Sequence, residues 1–289
     1  MNEREALARW RTEAPALVAA LCRDWGLRVD GPAMAGETAS VVPVRTSTGE
    51  PAVLKVGWPY AEAEHEHLAL RAWAGNGTIR LLRAEPRRWA MLLERADPGH
   101  DLGRLPAREA CEIVAGFYPR LHRPAIPQLT RLSEQAARWA TTLAQLRDLD
   151  VVPRRFVDQA RSLARDFADD PATDGLLLHT DLHYANVLAA QREPWLVIDP
   201  KPMSGDPAYE VAPMLWNRWD EAVAGRDPRG ATLERMFTLV DGAGLDEDRV
   251  RAWVVVRMLV NVAWAVTSGA PDVARWITQA VTLVKAVQR

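Results

Sequence analysis

The sequence predicts an α+β protein in two parts: a small antiparallel sheet carrying a helix, then a larger and mostly helical portion. Residues 39–45 and 52–56 read as strands flanking the polar cluster Thr46-Ser47-Thr48-Gly49-Glu50, a β-hairpin signature. Beyond Asp97-Pro98-Gly99 the apolar residues recur at helical spacing over long stretches. Residues 176–198 interrupt those helices with short apolar runs of hairpin character that turn at Gln191-Arg192-Glu193-Pro194.

In chain order, residues 5–25 place Leu7, Trp10, Ala14, Leu17, Val18, Leu21 and Trp25 near the helical repeat, and Gly26 closes that helix. The hairpin of residues 39–56 follows. Residues 62–73 read as a helix stopped by Gly75-Asn76-Gly77, and residues 79–83 and 89–94 as a second strand pair joined through Glu85-Pro86. Residues 108–122, 132–147 and 153–167 are helical patterns ahead of the strand-like interruption. Helical sequence resumes near Val211 and is strongest at residues 232–240, 249–267 and 272–287. The turn at Asp97-Pro98-Gly99 is the natural boundary, dividing residues 1–97 from residues 98–289, and no internal repeat or low-complexity segment appears.

Composition narrows the function class. With 289 residues the chain is long for one small core, and length alone suggests one large domain or two lobes. A formal net charge of −2 provides no basic field for a nucleic-acid partner. Cys22 and Cys111 form no framework and no CxxC pair, so they read as buried, reduced thiols of a cytoplasmic protein. Residues 1–10 lack the apolar run of a signal peptide. The most apolar stretch, residues 253–266, is broken by Arg257 and Asn261 and is shorter than the roughly 20 residues that span a bilayer. It reads as a core helix, and a monomer without a membrane partner is expected.

The chemistry concentrates between His179 and Asp199. Asp181 follows the apolar run Leu176-Leu177-Leu178 and sits in a loop, where a carboxylate can orient or deprotonate a substrate hydroxyl. Asn186 offers a neutral amide oxygen suited to a magnesium ion that keeps several waters. Asp199 ends the second apolar run, and the hairpin would bring it back beside Asn186 as a second oxygen ligand. A rival arrangement uses His179, Asp181 and His183 as a metal-dependent hydrolase cluster, but it leaves Asn186 and Asp199 without a task. Lys55 is a lone cation in the strand Val53-Leu54-Lys55-Val56 and needs an anionic partner if buried. Glu66 on the next helix is best placed, with Glu62 a turn earlier; an edge-strand lysine facing water is the alternative. The small-residue loop of residues 31–40, with Thr38 and Ser40 at its end, would let main-chain N–H groups approach phosphate, although it matches no glycine-loop motif.

Together these residues resemble a known family. His179-x-Asp181-x-x-x-x-Asn186 followed by Asp199, with Lys55, Glu66 and the segment from Met91 to Asp97 in matching order, is similar to the aminoglycoside phosphotransferases and their protein-kinase-like fold. Asp199-Pro200-Lys201-Pro202 and Gly205-Asp206-Pro207-Ala208-Tyr209 resemble the subgroup of streptomycin 6-kinases and hydroxyurea phosphotransferases. The resemblance implies ATP, or GTP in its place, between two lobes, with adenine bonded to the backbone near Glu94 and Ala96. It implies that Lys55 holds the α/β-phosphates and is oriented by Glu66, that Asn186 and Asp199 bind magnesium, and that Asp181 faces the acceptor hydroxyl. His179 and Asp206 would brace the catalytic loop. The acceptor, a small molecule such as an aminoglycoside or hydroxyurea, would lie in the helical lobe. Trp216, Asp220 and Lys201 are candidates there, Asp220 having a solvated surface as its alternative. Lys201 would add charge near the transferred phosphate or sit in a surface salt bridge. Trp264 and Trp276 read as core. Two departures stand out: Thr180 replaces a glycine common in the family, and Pro200-Lys201 replaces the Phe-Gly of protein kinases, so no activation-loop phosphorylation is expected.

Overall fold

Alternating burial along one strand organises the first of two units. The computed structural model describes residues 3–36 and 38–288. It divides into a unit formed by Met1–His100 with Leu188–Lys201 and a unit formed by Asp101–Val187 with Pro202–Arg289. The sequence boundary leaves residues 188–201 with the helical part, whereas the folded chain packs them with the sheet.

In the first unit, α1 (Glu3–Trp25) is followed by β1 (Arg28–Val29), β2 (Met34–Ala35), β3 (Ala39–Arg45) and β4 (Pro51–Gly57). Then come α2 (Glu66–Trp73), β5 (Leu81–Glu85), β6 (Ala90–Glu94) and β7 (Asp97–Asp101). The sheet runs in the order β1-β3-β4-β6-β5, with β2 also pairing to β3, and β4 is antiparallel to both neighbours. Period-two alternation puts Ala52, Leu54 and Val56 on one face, fully buried, where Leu21, Cys22 and Trp25 of α1 cover them. Each fully buried aliphatic side chain there contributes roughly 1.5–3 kcal/mol. The same alternation turns Lys55 to the opposite face. The helix expected from residue 62 splits into a short 3₁₀ turn, Ala61–Ala63, and α2, whose last turn ends on Ala74 in the left-handed region (φ 52°) just before Gly75.

A second small sheet joins Trp195–Val197, Val187–Ala189 and β7. The turn of this hairpin is fastened by Arg192, whose guanidinium donates to the Gly75 and Thr78 carbonyls and to both Glu94 carboxylate oxygens at 2.8–3.0 Å. Val197 exchanges main-chain hydrogen bonds with Gly77 and Ile79, at 2.9 and 3.0 Å. These contacts deliver Asp199, two residues beyond Val197, to the face of the main sheet that carries Lys55.

The second unit is mostly helical: α3 (Ala107–Leu121), α4 (Leu132–Asp148), α5 (Arg154–Asp169), α6 (Ala212–Trp216), α7 (Trp219–Ala224), α8 (Pro228–Ala243), α9 (Glu247–Ser268) and α10 (Val273–Val287). Among the described residues, α9 alone is long and apolar enough to cross a membrane by length and composition. It is a core helix, with Val250, Trp253, Val254, Val256, Met258 and Val262 all buried. Trp253 stacks on Phe167 at 3.7 Å between ring centroids, meets Tyr209 edge-on at 5.2 Å, and donates its indole N–H to Asp206 at 2.7 Å. The run Leu176–Leu178 pairs antiparallel with Met203–Gly205, not with residues 195–198. An apolar run specifies that a strand is buried but leaves its partner open. Both cysteines are free and buried, and burial pushes the Cys111 thiol up to about 11.

Gly205 lies where Leu178 and Leu132 leave no room: a Cβ would sit 2.6 Å from Leu178 Cδ1 and 2.9 Å from Leu132 Cδ2. Gly205→Ala is therefore expected to lower stability by about 1–3 kcal/mol, measured by urea denaturation, because the strand cannot move away from the α4 side chain.

Candidate active site

In the first unit a buried lysine is held by two carboxylates. Lys55 Nζ donates to both oxygens of Glu66 at 2.7 Å and to Asp199 Oδ1. The Lys55 and Glu66 side chains retain only 12% and 3% of their exposure, so neither charge could stand alone. Burial by itself would lower the Lys55 ammonium, but Glu66 and Asp199 outweigh it and hold the group well above the ordinary lysine value. Glu66 is the first residue of α2, where a carboxylate also meets the positive end of the helix. Glu62, the alternative partner, is exposed.

Asp199 carries a second ammonium. Lys201 Nζ donates to Asp199 Oδ2 at 2.8 Å, so each carboxylate oxygen has its own lysine. Burial would raise the Asp199 carboxyl, yet Lys55 and Lys201 hold it well below the usual carboxylate range. It is an anion at neutral pH, the form in which a carboxylate can bind a cation. Lys201 thus belongs to the first unit with Lys55, not with the acceptor candidates, and at 17% side-chain exposure it is no surface salt bridge. The Glu94 carboxylate is taken by Arg192 and by the Arg80 N–H, so only the main chain around Glu94 and Ala96 is suited to a base edge. Thr38 and Ser40 are half-buried at the entry to β3; the Thr38 carbonyl accepts from Trp58 N–H at 2.7 Å, and Ser40 is registered against Val56.

In the second unit the loop carrying Asp181 is braced from beneath. Thr180 adopts φ 63°, a conformation that glycine enters freely and a β-branched residue does not. The chain therefore keeps a glycine-like backbone despite lacking the glycine. Its N–H donates to Glu210 Oε1 at 2.5 Å, and its carbonyl accepts from Arg257 at 3.1 Å. Glu210 is fully buried and bonds His122 Nε2 at 3.1 Å. Burial would raise its carboxyl, but His122 and the Thr180 N–H keep it below the ordinary glutamate value. Fully buried His179 accepts the Asp181 N–H on Nδ1 at 3.2 Å. Asn186 Nδ2 donates to the Asp181 carbonyl at 2.8 Å, leaving the amide oxygen as the donor atom suited to a hard cation.

Glu210 is the residue the sequence reading missed. Asp206, expected to brace the loop, instead binds Arg249 at 2.5 Å, Trp253 at 2.7 Å and the Ala208 N–H at 3.0 Å, pinning its turn to α9. The only local signal for Glu210 was a charged residue between apolar Tyr209 and Val211. Of the acceptor candidates, Trp216 is half-buried with the Arg257 guanidinium 4.6 Å above its ring. Asp220 is a solvated residue, 79% exposed and paired with Arg275 at 2.9 Å. Trp264, expected in the core, is 55% exposed and packs edge-on against Trp276 at 5.6 Å. The hydrolase cluster does not form: among the described residues no three His, Cys, Asp or Glu side chains converge as a metal cluster, and Nδ1 of both His179 and His183 accepts a main-chain N–H.

Comparison with known proteins shows the family of the chain. The sequence model of the aminoglycoside/hydroxyurea antibiotic resistance kinases matches residues 24–269. The chain is 36% identical to a streptomycin 6-kinase of Streptomyces glaucescens over 96% of its own length and 91% of that protein. It is 40% identical to a hydroxyurea phosphotransferase of Kitasatospora aureofaciens over 88% of its length and 74% of that protein. Its structure is similar to that of a thermostable aminoglycoside phosphotransferase mutant in ternary complex with ADP and hygromycin B. The TM-score is 0.62 at 20% identity, over 93% of this chain and 97% of that one. The fold is protein-kinase-like, and the protein is an enzyme of the kinase class, a small-molecule O-phosphotransferase. The chain belongs to the aminoglycoside/hydroxyurea antibiotic resistance kinase family.

Two stability outcomes follow from the buried charges. Lys55→Met strands the Glu66 carboxylate and should cost about 3–5 kcal/mol in urea denaturation. Glu210→Gln should cost about 1–3 kcal/mol by weakening the brace on Thr180. Combining it with Thr180→Gly should recover part of that loss, because glycine needs no brace to hold a positive φ, and a double-mutant cycle measures the coupling.

Proposed function

We propose that this enzyme transfers the γ-phosphoryl group of ATP, with magnesium, to a hydroxyl of an aminoglycoside such as streptomycin. The observation that carries the phosphotransfer reading is the Lys55–Glu66–Asp199 cluster, a fixed ammonium beside an ionised carboxylate in a family of kinases. The aminoglycoside rests on the streptomycin 6-kinase relatives, one of them 36% identical over nearly the whole chain. Lys55 binds the α/β-phosphates, and Glu66 fixes its position. Thr38, just before β3, and Ser40, within it, lie beside the phosphates, and the main chain at Glu94 and Ala96 takes the adenine edge.

Asn186 and Asp199 present the oxygen donors that magnesium takes. The ion, once bound, neutralises charge on the phosphates. Asp181 orients the acceptor hydroxyl and receives its proton as the oxygen bonds to the γ-phosphorus and the bond from that phosphorus to the β,γ-bridging oxygen breaks, releasing ADP. Its loop is rigid because Thr180, His179 and Asn186 are each tied by hydrogen bonds, so catalysis here is positioning plus charge neutralisation. The 40% identity to a hydroxyurea phosphotransferase favours one second reading, the same transfer to hydroxyurea.

An ATP-consumption screen over streptomycin, other aminoglycosides, hydroxyurea and small polyols, with mass analysis of the product, tests the reading. A phosphorylated streptomycin supports it; turnover with hydroxyurea alone moves the assignment to the second reading, and no turnover with any acceptor counts against both. Asp181→Ala is expected to reduce transfer by about 10²–10⁴-fold while leaving nucleotide affinity nearly unchanged in calorimetry. Asp199→Ala is expected to weaken magnesium-dependent nucleotide binding, and unchanged affinity would remove it from the metal site.

A further inference from the structure

We propose that Lys201 is a second phosphate-binding cation of this site: paired with Asp199 in this structure, it turns to contact the terminal phosphate of bound ATP. The proposal rests on the reading that nucleotide phosphates and their magnesium occupy the Lys55–Asp199 cluster. Two ammoniums share one carboxylate, Lys55 on Oδ1 and Lys201 on Oδ2 at 2.8 Å. Counting Glu66, two ammonium groups and two carboxyl groups meet in the cluster.

The two lysines are held differently. Lys55 sits mid-strand, registered against Val41 and Met91, and is gripped by carboxylates from α2 and from the hairpin. It is a fixed group, suited to phosphates that stay in place. Lys201 reaches its own neighbour two residues back, across Pro200, from a stretch without regular secondary structure. Asp199 itself has φ 55°, and the proline ring limits the next residue, so the tether is short and shaped to fold Lys201 over the carboxylate. Its side chain is 17% exposed, which is far from a solvated surface pair.

Asp199, if it held a metal ion, would keep less negative charge for Lys201, and nucleotide phosphates beside it would offer the ammonium more. The ammonium then gains by turning from the carboxylate to a phosphate oxygen. A cation there opposes the charge that spreads over the equatorial oxygens as the phosphoryl group transfers. The protein would in this way fill with an internal residue the place that other phosphotransfer enzymes give to an arginine finger.

The test compares Lys201→Met and Lys201→Arg with the unaltered full-length protein, using calorimetry with magnesium and either ADP or a β,γ-imido ATP analogue. Circular dichroism and melting would first show that both variants fold, as expected while Asp199 keeps Lys55. Lys201→Met should lose about tenfold or more in affinity for the ATP analogue and less than about twofold for ADP. Lys201→Arg should recover most of that loss. Equal losses for both nucleotides would mean that Lys201 only props Asp199, and unchanged affinity for both would mean that it plays no part; either overturns the proposal. If the unaltered protein binds ADP and the analogue, a null result in the variants leaves the phosphotransfer reading standing. If it binds neither, that reading falls, and the role of Lys201 falls with it.

Discussion

The cost of burying an ammonium governs the first unit. Lys55 is placed by strand alternation: Leu54 and Val56 go into the core beneath α1, and Lys55 must emerge on the other face. An unpaired charge in that position is unfavourable by several kcal/mol, so the fold is obliged to bring anions to it. Glu66 arrives at the start of α2, and Asp199 arrives at the end of a hairpin more than a hundred residues later in the chain. Arg192 and the Val197 main chain secure that hairpin to residues 75–94. A long-range closure of this kind fits the proposed phosphotransfer, because the groups that satisfy Lys55 in the folded protein are those proposed to manage phosphate and metal.

The second unit solves a different problem, the exact posture of a loop. Thr180 occupies a backbone region that costs about 1–3 kcal/mol for a side chain of its kind. Such strain persists only where surroundings over-determine it. Glu210 holds the Thr180 N–H and Arg257 holds its carbonyl, so the peptides on both sides of the Thr180 Cα are tied, and Arg257 is itself stacked on the rings of Tyr209 at 4.0 Å and Trp216 at 4.6 Å. A buried carboxylate ionised by His122 makes a stronger acceptor than a neutral group would. The glycine-to-threonine departure in this chain is thus absorbed by hydrogen bonding rather than by a change of backbone.

Charge arrangement around Asp199 distinguishes this enzyme from kinases in which the metal aspartate begins a mobile Phe-Gly segment. Pro200 stiffens the following backbone, and Lys201 closes on the carboxylate. Both oxygens of the Asp199 carboxylate are thereby paired with lysines of the same unit.

Much of this was legible in the sequence. Helices such as 132–147 and 249–267 emerged within a residue or two of their bounds, since an amphipathic or buried repeat needs only local information. The pairing of Lys55 with Glu66 was legible because a lone cation in an apolar strand needs an anion close by in the chain. The sequence alone determined which elements exist and which reaction class the polar residues suit. Tertiary structure alone decided that Leu176–Leu178 pairs with Met203–Gly205, that Glu210 rather than Asp206 supports the loop, that Trp264 lies outside the core, and that Lys201 joins Asp199. Those outcomes depend on partners distant in the chain, and a residue's type fixes what it can bond but not which of several available groups the fold will bring within reach.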